Sequence, residues 1–266
     1  MIEIEFLCIL YKNLNKDYSI SKLSVKYLLL EEIERIKVKS NYFSVESVRD
    51  FLKSKKRTVT NPTINRYLHD FKKKGIIFDA GKGWYSFLEN PFLLYSEPVK
   101  PFVEIIKEGF PLLPFSCWST QQLNSFTHHL LAKFIVFVYT DSDYMRNVST
   151  FFKDKGYNVF ENPIKAEVNK LFTMSENTIV IRPSISKQPS SENKISPIEK
   201  ILIDFIIENQ KLSIMDLPEA EYVIKSIINS GRINISELLS YAKRRNLNSA
   251  SIINYVLNNI NVELID

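Results

Sequence analysis

Apolar residues in the first ninety positions recur first at the spacing of helices and then at the spacing of strands. Leu23, Tyr27, Leu30, Ile33 and Ile36 return every three or four positions, which predicts a helix over residues 23–38. Ser44 offers an N-cap to a second helix, with Val45, Val48, Phe51 and Leu52 on its inner face. A third is expected to take Asn61 as N-cap and Pro62 as its first helical residue, where a missing N–H goes unused. Ile64, Leu68 and Phe71 form its inner face. Gly75 stops it, after three lysines that complement the helix dipole. The period then shortens. Ile76, Ile77 and Phe78, a turn through Gly81 and Gly83, and the aromatic residues 84–87 read as a hairpin. Three helices and a hairpin are the order of a winged helix-turn-helix.

Beyond Phe92 helical and extended patterns alternate. Residues 101–108 read as a helix and "PFSCWS" as a short strand. Ser119 and Gln122 make a capping box for a helix carried to Leu131. "KFIVFVYT" has the unbroken apolar run of a strand buried on both faces. A helix over 145–155 ending at Gly156, the strand "YNVFE", a helix over 164–172 and the strand "TIVIRP" follow. Alternation of this kind predicts an α/β layer on a parallel or mixed sheet. Residues 184–196 are polar and Ser/Pro-bearing, hence a linker or exposed loop. Helices are expected over 197–209, 219–230, 236–245 and 250–258. The fold class expected is therefore multidomain, α+β with an α/β part: a winged helix-turn-helix over 1–92, an α/β domain over 93–187 and a helical C-terminal region over 195–266.

Charge sharpens this picture. Between Lys53 and Lys82 stand nine Lys and Arg against Asp70 and Asp79, a local net of +7 in a chain whose total is +5. Such clustering is the footprint of a nucleic-acid site. Thr63, Asn65, Arg66 and His69 lie off the apolar face of the third helix, where groups able to bond base edges are needed. Lys55, Lys56, Arg57, Thr58 and Thr60 precede that helix, and Lys72 and Lys73 close it. Lys82 tops the hairpin, as a wing contact to phosphate. These positions suit contacts that orient the duplex without reading it. The expected partner is double-stranded DNA.

Other chemistry finds little support. The six glycines form no phosphate-cradling loop. His128 and His129 are adjacent, so on a helix they point about 100° apart. Asp141 and Asp143 read as a turn and cap pair, and Glu167 and Lys170 fall on a presumed helix instead of a metal-binding strand. Ser119, His129 and Asp141 could be drawn as a triad, yet Ser119 is already a helix cap. No catalytic residue, cofactor or metal is expected; a nuclease- or nucleotidyltransferase-like enzyme targeted by the winged helix is the competing class. Cys8 and Cys117 have no ligand spacing. The first residues lack the basic region of a signal peptide, and no apolar run reaches the ~20 residues of a membrane span, so a cytoplasmic location is expected.

The stretch "FSCWSTQQLNSFTHHLL" carries a resemblance. Trp118, Ser119, Thr120, Leu123, Asn124, Phe126 and His129 resemble a "WST-x-x-LN-x-F-x-x-H" signature of AbiEi-type antitoxins, the regulator halves of type IV abortive-infection toxin-antitoxin systems. Leu130 stands where that pattern has glutamine. "NVFENP", "IVIRPSIS", "PIEKILIDF" and "YAKRR", the last with Arg244 and Arg245, are similar in order and spacing. The resemblance implies an autorepressor that binds its own operator, and an antagonist of a nucleotidyltransferase-like toxin that forms no stable complex with it. It assigns no role to the individual motif residues.

Overall fold

A computed structural model describes residues 25–165, 175 and 178–248. Helices expected over 250–258 and most of 164–172 lie outside the described residues, as does Cys8. The described chain is mixed α+β, with two small sheets.

The N-terminal elements are α1 (Val25–Lys37), β1 (Tyr42–Ser44), α2 (Val45–Ser54), α3 (Asn61–Lys73), β2 (Phe78–Asp79) and β3 (Trp84–Ser86). Leu29, Ile33, Val48, Leu52, Ile64, Leu68 and Phe71 pack into one core, each at most 2% exposed. Burial on that scale contributes about 1.5–3 kcal/mol per side chain. Ser44 caps α2 by accepting the Ser47 N–H (3.0 Å). The third helix begins one residue earlier than expected. Thr60 is its cap, because its carbonyl takes the first helical bond from Ile64 N–H (3.1 Å). Its end is as the sequence implied. Gly75, at φ +68°, donates to Lys72 O while Ile76 donates to Phe71 O, which satisfies two otherwise orphaned carbonyls. Strand β1 was not expected. It pairs antiparallel with β3, making β3 the centre of a three-stranded sheet.

The second sheet follows α4 (Lys100–Gly109) and contains β4 (Phe115–Ser119), β5 (Ile135–Thr140), β6 (Asn158–Glu161) and β7 (Thr178–Pro183) in the order β4-β5-β7-β6. Strand β4 runs antiparallel to β5, and β7 is parallel to both β5 and β6. The sheet is mixed, as expected. All six residues of β5 are buried, and its alternation divides the first five between two cores. Val136 and Val138 meet α4 and α5 (Met145–Asp154); Ile135, Phe137 and Tyr139 meet α6 (Ile198–Leu212), α7 (Leu217–Ser230) and α8 (Ile235–Arg244).

Two segments depart from expectation. The capping box at Ser119 forms, with Ser119 N–H donating to Gln122 Oε1 (2.9 Å), yet it opens a 3₁₀ turn over Thr120–Phe126 and no helix to Leu131. Thr127 adopts an extended backbone and its hydroxyl donates to Asn124 O (2.8 Å), which ends the turn. The expected linker is also held. Cys117 N–H donates to Lys194 O and Ser196 N–H to Cys117 O, both at 2.8 Å, so its end runs along the free edge of β4.

The N-terminal unit is fastened to the C-terminal helices. Phe43 faces its own core, whereas Tyr42 points the other way and joins the core under α6–α8. Its hydroxyl donates to Gly231 O (3.0 Å) and accepts Ile233 N–H (3.1 Å). Burial pushes the Tyr42 phenol up to about 12. At the hairpin, Ala80 O accepts Ile235 N–H (2.8 Å) and Lys82 N–H donates to Ser236 Oγ (3.1 Å). Gly81, at φ +100°, lies so close that an added Cβ would overlap Asn234 and stand 2.7 Å from Ser236 Oγ. No helix among the described residues is long and apolar enough to cross a membrane.

Candidate nucleic-acid interface

Helix α3 turns Ile64, Leu68 and Phe71 into the core, which leaves Asn65, Arg66, His69 and Lys73 exposed on the outer surface. Arg66 lies over the Tyr67 ring at 5.3 Å, a contact that restrains the guanidinium without pairing its charge. Thr63 is half-buried and shares a hydroxyl hydrogen bond with Thr60 (3.0 Å). Thr58 is exposed and Arg57 half-buried. Lys72 departs from the outer row. It pairs with Asp79 across the hairpin at 3.1 Å, and although partial burial of Asp79 works the other way, Gly81 N–H and Lys72 hold its carboxyl below the ordinary range.

The end of α2 adds a feature that the sequence reading missed. Between it and the start of α3 lies a cleft of about 380 Å³, with Leu52, Val59 and Ile64 beneath it and Arg49, Lys53, Lys56, Arg57 and Thr58 around it. Arg49 Nε is buried there with no hydrogen-bond partner among the described residues. The signal lay in the spacing. Arg49, Lys53 and Lys56 recur at four and three residues, one helical face of cations that runs into the turn. Lys56 adopts φ +54°, the position where a helix ending of this type favours glycine; Arg57 N–H to Leu52 O and Lys56 N–H to Lys53 O complete it. A lysine kept in that conformation costs about 1 kcal/mol and gains a cation at the cleft mouth. Four cations, a hydroxyl and the adjoining N-terminus of α3 suit an anion such as phosphate. Lys55 is exposed and lies over the Phe51 ring at 5.5 Å.

At the hairpin, Lys82 remains exposed, but its backbone is anchored on α8, so the tip does not stand free as a wing.

The other singled-out residues gather elsewhere. Trp118 is fully buried and stacks on Phe137 with ring centroids 4.4 Å apart. Thr120 Oγ1 accepts Ile135 N–H (3.0 Å), and Asn124 Oδ1 accepts Leu131 N–H (2.8 Å). These residues shape the segment between β4 and β5. His129 and Arg244 are exposed, and His128 stacks on Tyr222 while facing Glu219 at 3.0 Å. Asp141 accepts Asp143 N–H (3.2 Å), a turn contact. No group of three or more potential metal ligands occurs among the described residues.

A profile of DUF6577, described as a family of unknown function, matches residues 63–262. The chain belongs to DUF6577. No curated protein matches it. The region that defines this DUF6577 member thus begins in the first turn of α3 and takes in the hairpin, the mixed sheet and the C-terminal helices; α2 and most of the basic cleft precede it.

Within the matched region three of the motifs noted in the sequence converge on one buried set of charges. Arg182 of "IVIRPSIS" pairs with Glu208 and donates to Asn162 Oδ1 (3.0 Å) and Pro163 O. Lys200 and Asp204 of "PIEKILIDF" pair with each other, and Lys200 Nζ lies 3.5 Å from the centre of the Tyr139 ring. Tyr241 and Arg245 of "YAKRR" both reach Asp204, the phenol at 2.8 Å and the guanidinium at 3.6 Å. Burial pulls the Lys200 ammonium below its ordinary range, with Asp204 opposing it, and pushes the Tyr139 and Tyr241 phenols up. Each of these charges has a partner, which marks the cluster as a tie between sheet and helices.

Proposed function

We propose that the N-terminal unit is a winged helix that binds double-stranded DNA, with α3 in the major groove and the basic cleft seated on a phosphate. The observation that carries this reading is the adjacency of two different surfaces: a helix face bearing Asn65, Arg66 and His69, and beside it a cleft of four cations, one of them Arg49, whose Nε has no hydrogen-bond partner among the described residues. The first has the chemistry of base readout and the second that of backbone positioning. The docked hairpin limits the wing to the Lys82 side chain.

On the resemblance at Trp118–His129 the same reading makes the chain a cytoplasmic autorepressor and antitoxin. It would bind its own operator and counteract a nucleotidyltransferase-like toxin without a stable complex. Arg66→Ala is expected to cost about 1–3 kcal/mol on the cognate duplex and to flatten sequence preference, while Lys55→Ala weakens every duplex alike. Competition binding against scrambled DNA reads both effects. Equal losses on both duplexes for both variants would remove Arg66 from the readout face.

A further inference from the structure

A cleft of about 1270 Å³ lies between the hairpin tip, α4, the 190–196 segment and residues 232–234. Its floor holds Glu199, which is 9% exposed. Among the described residues the other buried carboxylates have cations: Glu32 has Arg35, Asp204 has Lys200 and Arg245, and Glu208 has Arg182. Glu199 has none. It accepts Asn234 N–H (2.7 Å), and burial pushes its carboxyl above the ordinary range. Ser191 and Ser196 line the same cleft, and their Oγ atoms are buried without a hydrogen-bond partner among the described residues. Buried polar groups are normally paired, so two unpartnered hydroxyls beside a buried carboxylate that has a hydrogen bond but no cation suit a donor supplied from outside the chain. Arg232 brings the opposite charge. Its guanidinium lies over the Phe78 ring at 5.3 Å and has no ion pair among the described residues, while Phe92 supplies an apolar wall.

We propose that this cleft binds a zwitterionic amino compound, an amino acid or short peptide, through an ammonium on Glu199, Ser191 and Ser196 and a carboxylate on Arg232. Glu199 accepts Asn234 N–H and Arg232 stands two residues before it in the same lining, a pair of opposite charges that suits a ligand carrying one of each. The volume exceeds what a single amino acid needs and admits a few linked residues. The assignment is independent of DNA binding.

The test is calorimetric titration of the full chain with each of the twenty common L-amino acids, with Ala-Ala and with tri-alanine. At least one probe is expected to bind with a Kd near or below about 1 mM, and its form capped at both termini should bind at least about tenfold more weakly. Whether free amino acids or peptides bind identifies the source. Glu199→Gln, which keeps an acceptor for Asn234 N–H, and Arg232→Ala should each weaken binding by about tenfold or more with an unchanged melting profile. Absence of binding by every probe at 10-fold higher concentration, about 10 mM, overturns the proposal. So does equal binding of the capped probe, or undiminished binding by both variants.

Discussion

Asp204→Ala is expected to lower the free energy of unfolding by about 3–5 kcal/mol, the cost of removing one partner from a buried ion pair. Asp204 is fully buried and is met by Lys200, Tyr241 and Arg245 at once. Its loss strands a lysine whose ammonium burial already disfavours, so that group would shed its proton or draw in water. Denaturant unfolding at neutral pH measures the change. The double variant Lys200→Met with Asp204→Leu should recover part of it, because two desolvated charges disappear together and the volume is refilled, while Arg245 and the Tyr241 phenol still lose their partner. A single-variant loss below about 1 kcal/mol would show that the cluster does not tie the sheet to the helices.

The second large effect concerns the basic cleft. Combining Lys53→Ser, Lys56→Gly and Arg57→Ser removes three of its four cations, and glycine at position 56 suits the local φ of +54°. The fold should survive intact. Each phosphate contact contributes about 0.9 to the slope of log affinity against log salt, so the variant should show a slope shallower by about 2–3. Affinity should fall on cognate and scrambled duplexes alike, since phosphate contacts carry no sequence information. Lys153→Ser, an exposed charge on α5, should leave the slope unchanged. An unaltered slope in the triple variant would separate the cleft from the DNA.

Much of this architecture was legible where the physics is local. The apolar face of α3, its Gly75 ending, the hairpin glycines and the unbroken run of β5 are statements about neighbouring residues, and each of these elements is present, α3 starting one residue early. What escaped depends on distant partners. Strand β1 is three residues long and exists because Tyr42 and Phe43 find Ser86 and Tyr85 some forty positions later. Lys200 and Asp204, four apart on a helix, have the spacing of an exposed ion pair and give no local sign that Tyr139 and Tyr241 enclose them. The capping box was right about its two hydrogen bonds but could not fix how far the turn would run. The outward face of α3 was readable as chemistry, whereas Arg49 became part of the site only when α2 and α3 closed over the cleft.

DNA binding and sequence readout by the N-terminal unit remain the proposal on which the expectations for Arg66, Lys55 and the basic cleft rest. The most direct measurement is salt-titrated binding of the full chain to duplex DNA from its own upstream region, against scrambled duplex of equal length. A DNA-reading winged helix should prefer the upstream sequence and lose affinity steeply and log-linearly with salt. Binding that ignores salt, or equal affinity for both duplexes at every salt concentration, would contradict it.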